Sequence, residues 1–127
     1  MSTILIVDDN PGHLALLSDV LQAEGHTTQA AESGEQAIEL ALSTTPDLIL
    51  MDIQIGDMGG VEALSVLRQN PATRAVPIIA VTALAMDGDK ERLLAAGFDD
   101  YLSKPVDLAV VRKIVQRFLS SAEDGRT

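Results

Sequence analysis

Pro46-Asp47-Leu48-Ile49-Leu50-Met51-Asp52 is the stretch on which the fold turns. Four successive apolar residues, stopped by Asp at either end, offer no polar face to solvent, so they read as a short strand buried on both sides. Ile4-Leu5-Ile6-Val7 repeats the pattern and runs into Asp8-Asp9, and Ile78-Ile79-Ala80-Val81 repeats it and runs into Thr82. Strands buried on both faces belong to a parallel sheet with helices above and below. Two weaker segments, Thr27 to Ala31 and Asp99 to Ser103, carry fewer apolar residues and suit the sheet's edges.

The intervening segments have helical spacing. Asn10 stands where an N-cap belongs, Pro11 takes the first helical position, and Leu14, Leu17 and Leu21 fall on one face before Gly25 ends the run. Ser33 and Gln36 have capping-box spacing ahead of a second helix, with Ala37, Ile38, Ala41 and Leu42 expected inward and a stop before Pro46. A third helix is expected from Gly60 to Gln69 with Val61, Leu64 and Leu67 aligned, and a fourth from Asp87 to Ala96, closed by Gly97. Asp107 caps a fifth, with Val111, Ile114, Val115 and Phe118 inward.

Five alternating strands and helices with right-handed crossovers, and the three greasiest strands central, give a flavodoxin-like (βα)5 doubly wound parallel sheet in the order 2-1-3-4-5. Ligands of such sheets bind outside the carboxyl ends of the strands, at the switch point between strands one and three. The 127-residue length fits one domain. A net charge of -10 with no cluster of Lys and Arg argues against nucleic acid and anionic membranes as partners. No Cys is present, which excludes disulfides and thiolate metal sites. The first strand follows Met1 too closely for a signal peptide, and no apolar run is long enough to span a bilayer, so a cytoplasmic protein is expected.

The strand ends hold the chemistry. Asp8 and Asp9 end strand one, Asp52 strand three, Thr82 strand four, and Ser103-Lys104-Pro105 strand five. Parallel neighbours lie about 4.8 Å apart, so this topology gathers acids, hydroxyl and amine in one shallow pocket. Three carboxylates so close repel one another and call for a hard divalent cation, Mg2+ with Mn2+ as a substitute, whereas zinc would want His or Cys. With a cation present, Asp52 can attack phosphorus, and Thr82 and Lys104 can hold phosphoryl oxygens. Each residue alone has a duller reading: the acid pair prepares a helix start, Thr82 caps a loop, Lys104 is a solvated charge. Jointly, at the ends of four strands that become neighbours, they favour the functional one. His13 and His26 are isolated in sequence and are expected at the surface, away from the pocket. Met51, Met58 and Met86 read as packing residues.

I-L-I-V-D-D-N at 4–10, D-L-I-L-M-D-I-Q around Asp52, P-I-I-A-V-T-A around Thr82 and Y-L-S-K-P around Lys104 resemble, in order and spacing, the receiver domains of two-component response regulators. The likeness covers residues 3 to 119, and within the family it is greatest to DivK-type single-domain regulators and receiver modules of hybrid kinases. It implies that Asp52 is the phosphorylated residue, that Asp9 binds magnesium directly and Asp8 through water, and that the Gln54 backbone carbonyl is a further ligand. Thr82 and Lys104 would hold the phosphoryl group, Tyr101 would be the switch aromatic, and the Lys104-Pro105 bond would be cis. Gly56 and Gly59 depart from the usual pattern, which commonly has Pro at the first and an acidic or polar residue at the second.

The resemblance implies a receiver domain over 1–120, and the polar composition of 121–127 leads to the expectation of a frayed tail. It implies a histidine kinase or phosphotransfer protein as donor, and a downstream protein target contacted through the fourth helix, fifth strand and fifth helix. Met1-Ser2 leading straight into the first strand suggests an intact product; the alternative is a module of a larger hybrid kinase or regulator. A haloacid-dehalogenase-type phosphohydrolase would need a second acid where Gln54 stands, and a flavodoxin-like cofactor binder would need a phosphate cradle and aromatics that are missing. The expectation is a switch rather than an enzyme with an external substrate.

Overall fold

The computed structural model describes residues 2–53, 59–83 and 89–124 of the chain. The strands are β1 (Thr3–Val7), β2 (Thr27–Ala31), β3 (Leu48–Asp52), β4 (Ile78–Thr82) and β5 (Asp100–Ser103). The helices are α1 (Pro11–Ala23), α2 (Gly34–Thr44), α3 (Gly60–Gln69), α4 (Asp89–Ala96) and α5 (Leu108–Asp124). All strand pairs are parallel and the order is β2-β1-β3-β4-β5. The sheet is therefore the one the sequence predicts, with the sparse strands at its edges.

Register aligns the strand ends. Val7 pairs with Met51, Asp52 with Val81, and Thr82 with Ser103. Alternate residues then face opposite layers. Leu5, Val7, Ile49, Met51, Ile78 and Ala80 pack with α2 and α3, whereas Ile4, Ile6, Leu48, Leu50, Ile79 and Val81 pack with α1 and α5. Fully burying each large side chain contributes about 1.5–3 kcal/mol, and truncating one such as Leu50 to Ala would cost about 2–5 kcal/mol.

The caps follow the sequence with one variation. The Asn10 carboxamide oxygen accepts the N–H groups of Gly12 and His13 at 2.8 and 3.2 Å, and Asp107 accepts from Ala109 at 2.9 Å. The Ser33 hydroxyl accepts from Gln36 N–H at 3.1 Å, but the Gln36 side chain returns to Glu32 N–H at 2.7 Å, one residue further back than a capping box reaches.

Two inward assignments are corrected. Leu42 is 39% exposed and Val61 44% exposed. Ala37 and Ala41 in α2 and Leu64 and Leu67 in α3 are buried as expected, joined by Gly34, Gly60 and Ala63. In α5, Leu119 is buried where the sequence reading stops at Phe118, which is half-buried.

Candidate functional site

Backbone hydrogen bonds carry the strand order past the last sheet residues and so fix the side chains that follow. Asp8 N–H donates to Ala31 O at 3.0 Å, Ile53 N–H to Val81 O at 3.0 Å, and Lys104 N–H to Thr82 O at 2.8 Å. The Lys104-Pro105 peptide is cis. From this position the Lys104 ammonium donates to Asp52 Oδ2 at 2.7 Å. Asp52 is 2% exposed, so this charge-assisted bond lies in a setting where solvent screens it weakly.

Asp8, Asp9 and Asp52 each place a carboxylate oxygen within 4.8 Å of the others. Asp8 and Asp52 are buried and Asp9 is exposed, so the cluster is open on one side. Three negative groups at that spacing repel, and one ammonium does not neutralise them. The donors are all hard oxygens, and the cluster is open to water and to phosphate oxygens. That donor set suits Mg2+ or Mn2+ and fits zinc poorly. Thr82, also buried, ends β4 beside this cluster.

Asp8 is held at both oxygens. Oδ1 accepts Asn10 N–H at 2.9 Å, and Oδ2 lies 3.2 Å from His13 Nδ1. This contact corrects the expectation that His13 stands away from the pocket. The first turn of α1 brings residue 13 back over the end of β1, a return that isolated histidines in a linear sequence conceal. His26, by contrast, lies just before β2, at the opposite end of the strands, with its N–H bonded to Leu21 O at 3.1 Å. Beside the cluster a cleft of about 480 Å³ opens between α1 and the chain after β5, lined by Asp8, His13, Leu16, Lys104, Val106 and Leu108 among others.

Tyr101 on β5 is half-buried against the α2–α3 core and borders a second cleft of about 250 Å³ with Ser103, Pro105 and Val110. Met51 is fully buried, in keeping with a packing role. Gln54, Gly56, Met58 and Met86 lie outside the described residues. No helix among the described residues is long and apolar enough to cross a membrane.

Comparison with known proteins places this geometry. The polar-differentiation response regulator DivK of Brucella abortus is 38% identical over 120 residues, covering 94% of this chain and 98% of DivK. The signal transduction histidine-protein kinase BarA of Escherichia coli is 43% identical over 116 residues, 91% of this chain but only 13% of that kinase's length. The receiver domain of the sensor histidine kinase PA1611 from Pseudomonas aeruginosa, solved with a magnesium ion coordinated in its active-site cleft, superimposes with a TM-score of 0.86 at 37% identity. That superposition covers 94% of this chain and 98% of that one. Residues 4–116 match the response regulator receiver domain. The chain thus belongs to the response regulator receiver domain family of two-component signalling.

Proposed function

We propose that this receiver takes a phosphoryl group on Asp52 from the phosphohistidine of a kinase or phosphotransfer protein, and signals the change to a protein target through α4, β5 and α5. The observation that carries the reading is the buried Asp52 carboxylate, bonded by Lys104 at 2.7 Å and joined by Asp8 and Asp9 within 4.8 Å. A carboxylate oxygen of Asp52 attacks phosphorus, the phosphorus–nitrogen bond breaks, and the imidazole leaves with the electron pair and takes a proton from water. Asp8, Asp9 and Asp52, with the Gln54 carbonyl, would hold Mg2+, which when bound offsets the charge of the transferred group. Lys104 and Thr82 hold phosphoryl oxygens, and Lys104 exchanges its bond to Asp52 for one to the new dianion. Thr82 moves toward that dianion, and the Tyr101 ring fills the space it leaves. The magnesium in the PA1611 receiver supports the metal assignment by likeness.

The site serves a switch, not turnover of an external substrate. The net charge of -10 disfavours nucleic acid as the target, and a cytoplasmic setting fits a kinase donor. The kinship with BarA, of which the chain spans 13%, favours a second reading in which the domain works inside a hybrid kinase. The chemistry at Asp52 is the same in both.

Acetyl phosphate or phosphoramidate with Mg2+ should add one phosphoryl group that survives acid and is released by alkali or hydroxylamine. Asp52→Asn should abolish it. Undiminished labelling of that variant would sink the proposal.

A further inference from the structure

We infer that His13 is a positioning residue for the Asp8 carboxylate, and that its ring nitrogen Nδ1, as a hydrogen-bond donor, raises the affinity of the acidic cluster for Mg2+. The inference rests on the metal-site reading of Asp8, Asp9 and Asp52 given above.

Asp8 sits at the end of β1 with 3% of its surface exposed, between a strand and a helix start. A carboxylate there has two oxygens to direct and repelling neighbours at Asp9 and Asp52. Asn10 N–H fixes Oδ1 at 2.9 Å, which still leaves the group free to tilt about that one bond. His13 Nδ1, 3.2 Å from Oδ2, supplies the second point. The same Asn10 side chain caps His13 N–H at 3.2 Å, so one residue aims the ring while its own backbone holds the other oxygen. Asp8, Asn10 and His13 form a closed loop of contacts built by the first turn of α1.

The chemistry fixes which atom donates. An ionised carboxylate only accepts, so Nδ1 carries the hydrogen and a neutral ring has its acceptor at Nε2. The His13 side chain is 52% exposed, so the contact is not a forced consequence of burial. A second-point donor of this kind orients a metal-binding group in advance, so binding does not spend free energy on ordering it.

The donor can be separated from the ring by substitution. Asn places its amide nitrogen on Cγ, as His places Nδ1, so His13→Asn keeps a donor in the same place. His13→Phe keeps a ring of similar outline and removes the donor, and His13→Ala removes both. Magnesium titration by calorimetry on the whole chain should show His13→Ala and His13→Phe weakened about tenfold, with His13→Asn close to wild type. In mildly alkaline buffer the 15N spectrum of the wild-type ring should show the Nδ1-protonated tautomer. If His13→Phe binds as tightly as wild type, if His13→Asn is as weak as His13→Ala, or if Nε2 carries the hydrogen, the inference is overturned. Asp9→Ala is the control for the reading beneath it. Magnesium binding that depends on Asp9 but ignores the residue 13 donor overturns only the inference. Magnesium binding absent from wild type, or indifferent to Asp9, removes the metal site and the inference together.

Discussion

Gly60→Ala should damage both stability and the site, because the first residue of α3 rests directly on the strand that carries Asp52. A Cβ at Gly60 would stand 2.7 Å from Asp52 O and 2.8 Å from Ile53 Cα, both backbone atoms that no side-chain rotation can move aside. Ordinary contact begins near 3.4 Å, so helix and strand must separate by about 0.7 Å. Overpacking of this kind costs about 2 kcal/mol, and for a domain of this size that lowers the melting temperature by about 8 °C. The displacement falls on Asp52 itself, so phosphoryl uptake should slow by about tenfold, given that a misplacement of about 1 Å can cost a hundredfold. Thermal unfolding by circular dichroism and the rate of labelling by acetyl phosphate read the two effects. The neighbouring Gly59, whose Cβ would meet Ile53 O at an ordinary 3.6 Å, is the control. It is the N-cap of α3 and makes no side-chain cap bond, so Gly59→Ser should gain a few tenths of a kcal/mol. A melting temperature for Gly60→Ala within about 2 °C of wild type would refute the close-approach reasoning.

Arg68→Met should cost about 2–3 kcal/mol. The guanidinium donates to Gly97 O, Arg74 O, Val76 O and Asp99 Oδ2, tying α3 to the turns before β4 and β5. Arg68→Lys should recover little, since an ammonium lacks the planar fork; urea midpoints equal to wild type would count against this. Mg2+ at ten times its dissociation constant should stabilise the fold by about 1.4 kcal/mol, a rise of about 5 °C in thermal melting, and Asp9→Ala should remove the rise. Tyr101→Ala should leave labelling of Asp52 intact while blunting the change in hydrogen exchange that a beryllofluoride phosphoryl mimic produces in α4 and β5. An unaltered response would reject Tyr101 as the coupling residue.

The sheet was legible in the sequence because a strand buried on both faces has no polar alternation to confuse, as in Leu48 to Met51. The helix faces were less so. Ala37, Ala41, Leu64 and Leu67 are buried as their spacing indicates, but hydrophobic spacing gives no weight to Gly34, Gly60 and Ala63, which share those faces. Small residues permit the close approach, and large ones such as Leu42 and Val61 are left on the flanks. At the site, the gathering of Asp8, Asp9, Asp52, Thr82 and Lys104 followed from topology, because each ends a strand or follows one. His13 was missed because it belongs to a helix, and only the return of the first turn over β1, set by the Asn10 cap, brings it to Asp8. The signal was present as an Asp and a His five residues apart across an Asn cap, but its meaning depends on three-dimensional closure.

The first strand of the receiver is also an interior one: β1 is hydrogen-bonded to β2 on one side and to β3 on the other. A nascent chain that has emerged only as far as α2 can pair β1 with β2, but leaves its other edge open and Ile4 and Ile6 without the Leu48 and Leu50 that cover them. No hairpin offers a local shortcut in an all-parallel sheet, so each new strand must wait for a helix to cross over. Residues 48–52 must therefore have left the exit tunnel before β1 can be paired on both edges, and β3 in its turn waits for β4. Truncations before that point should be sticky, proteolytically labile chains, because they expose an unpaired central edge.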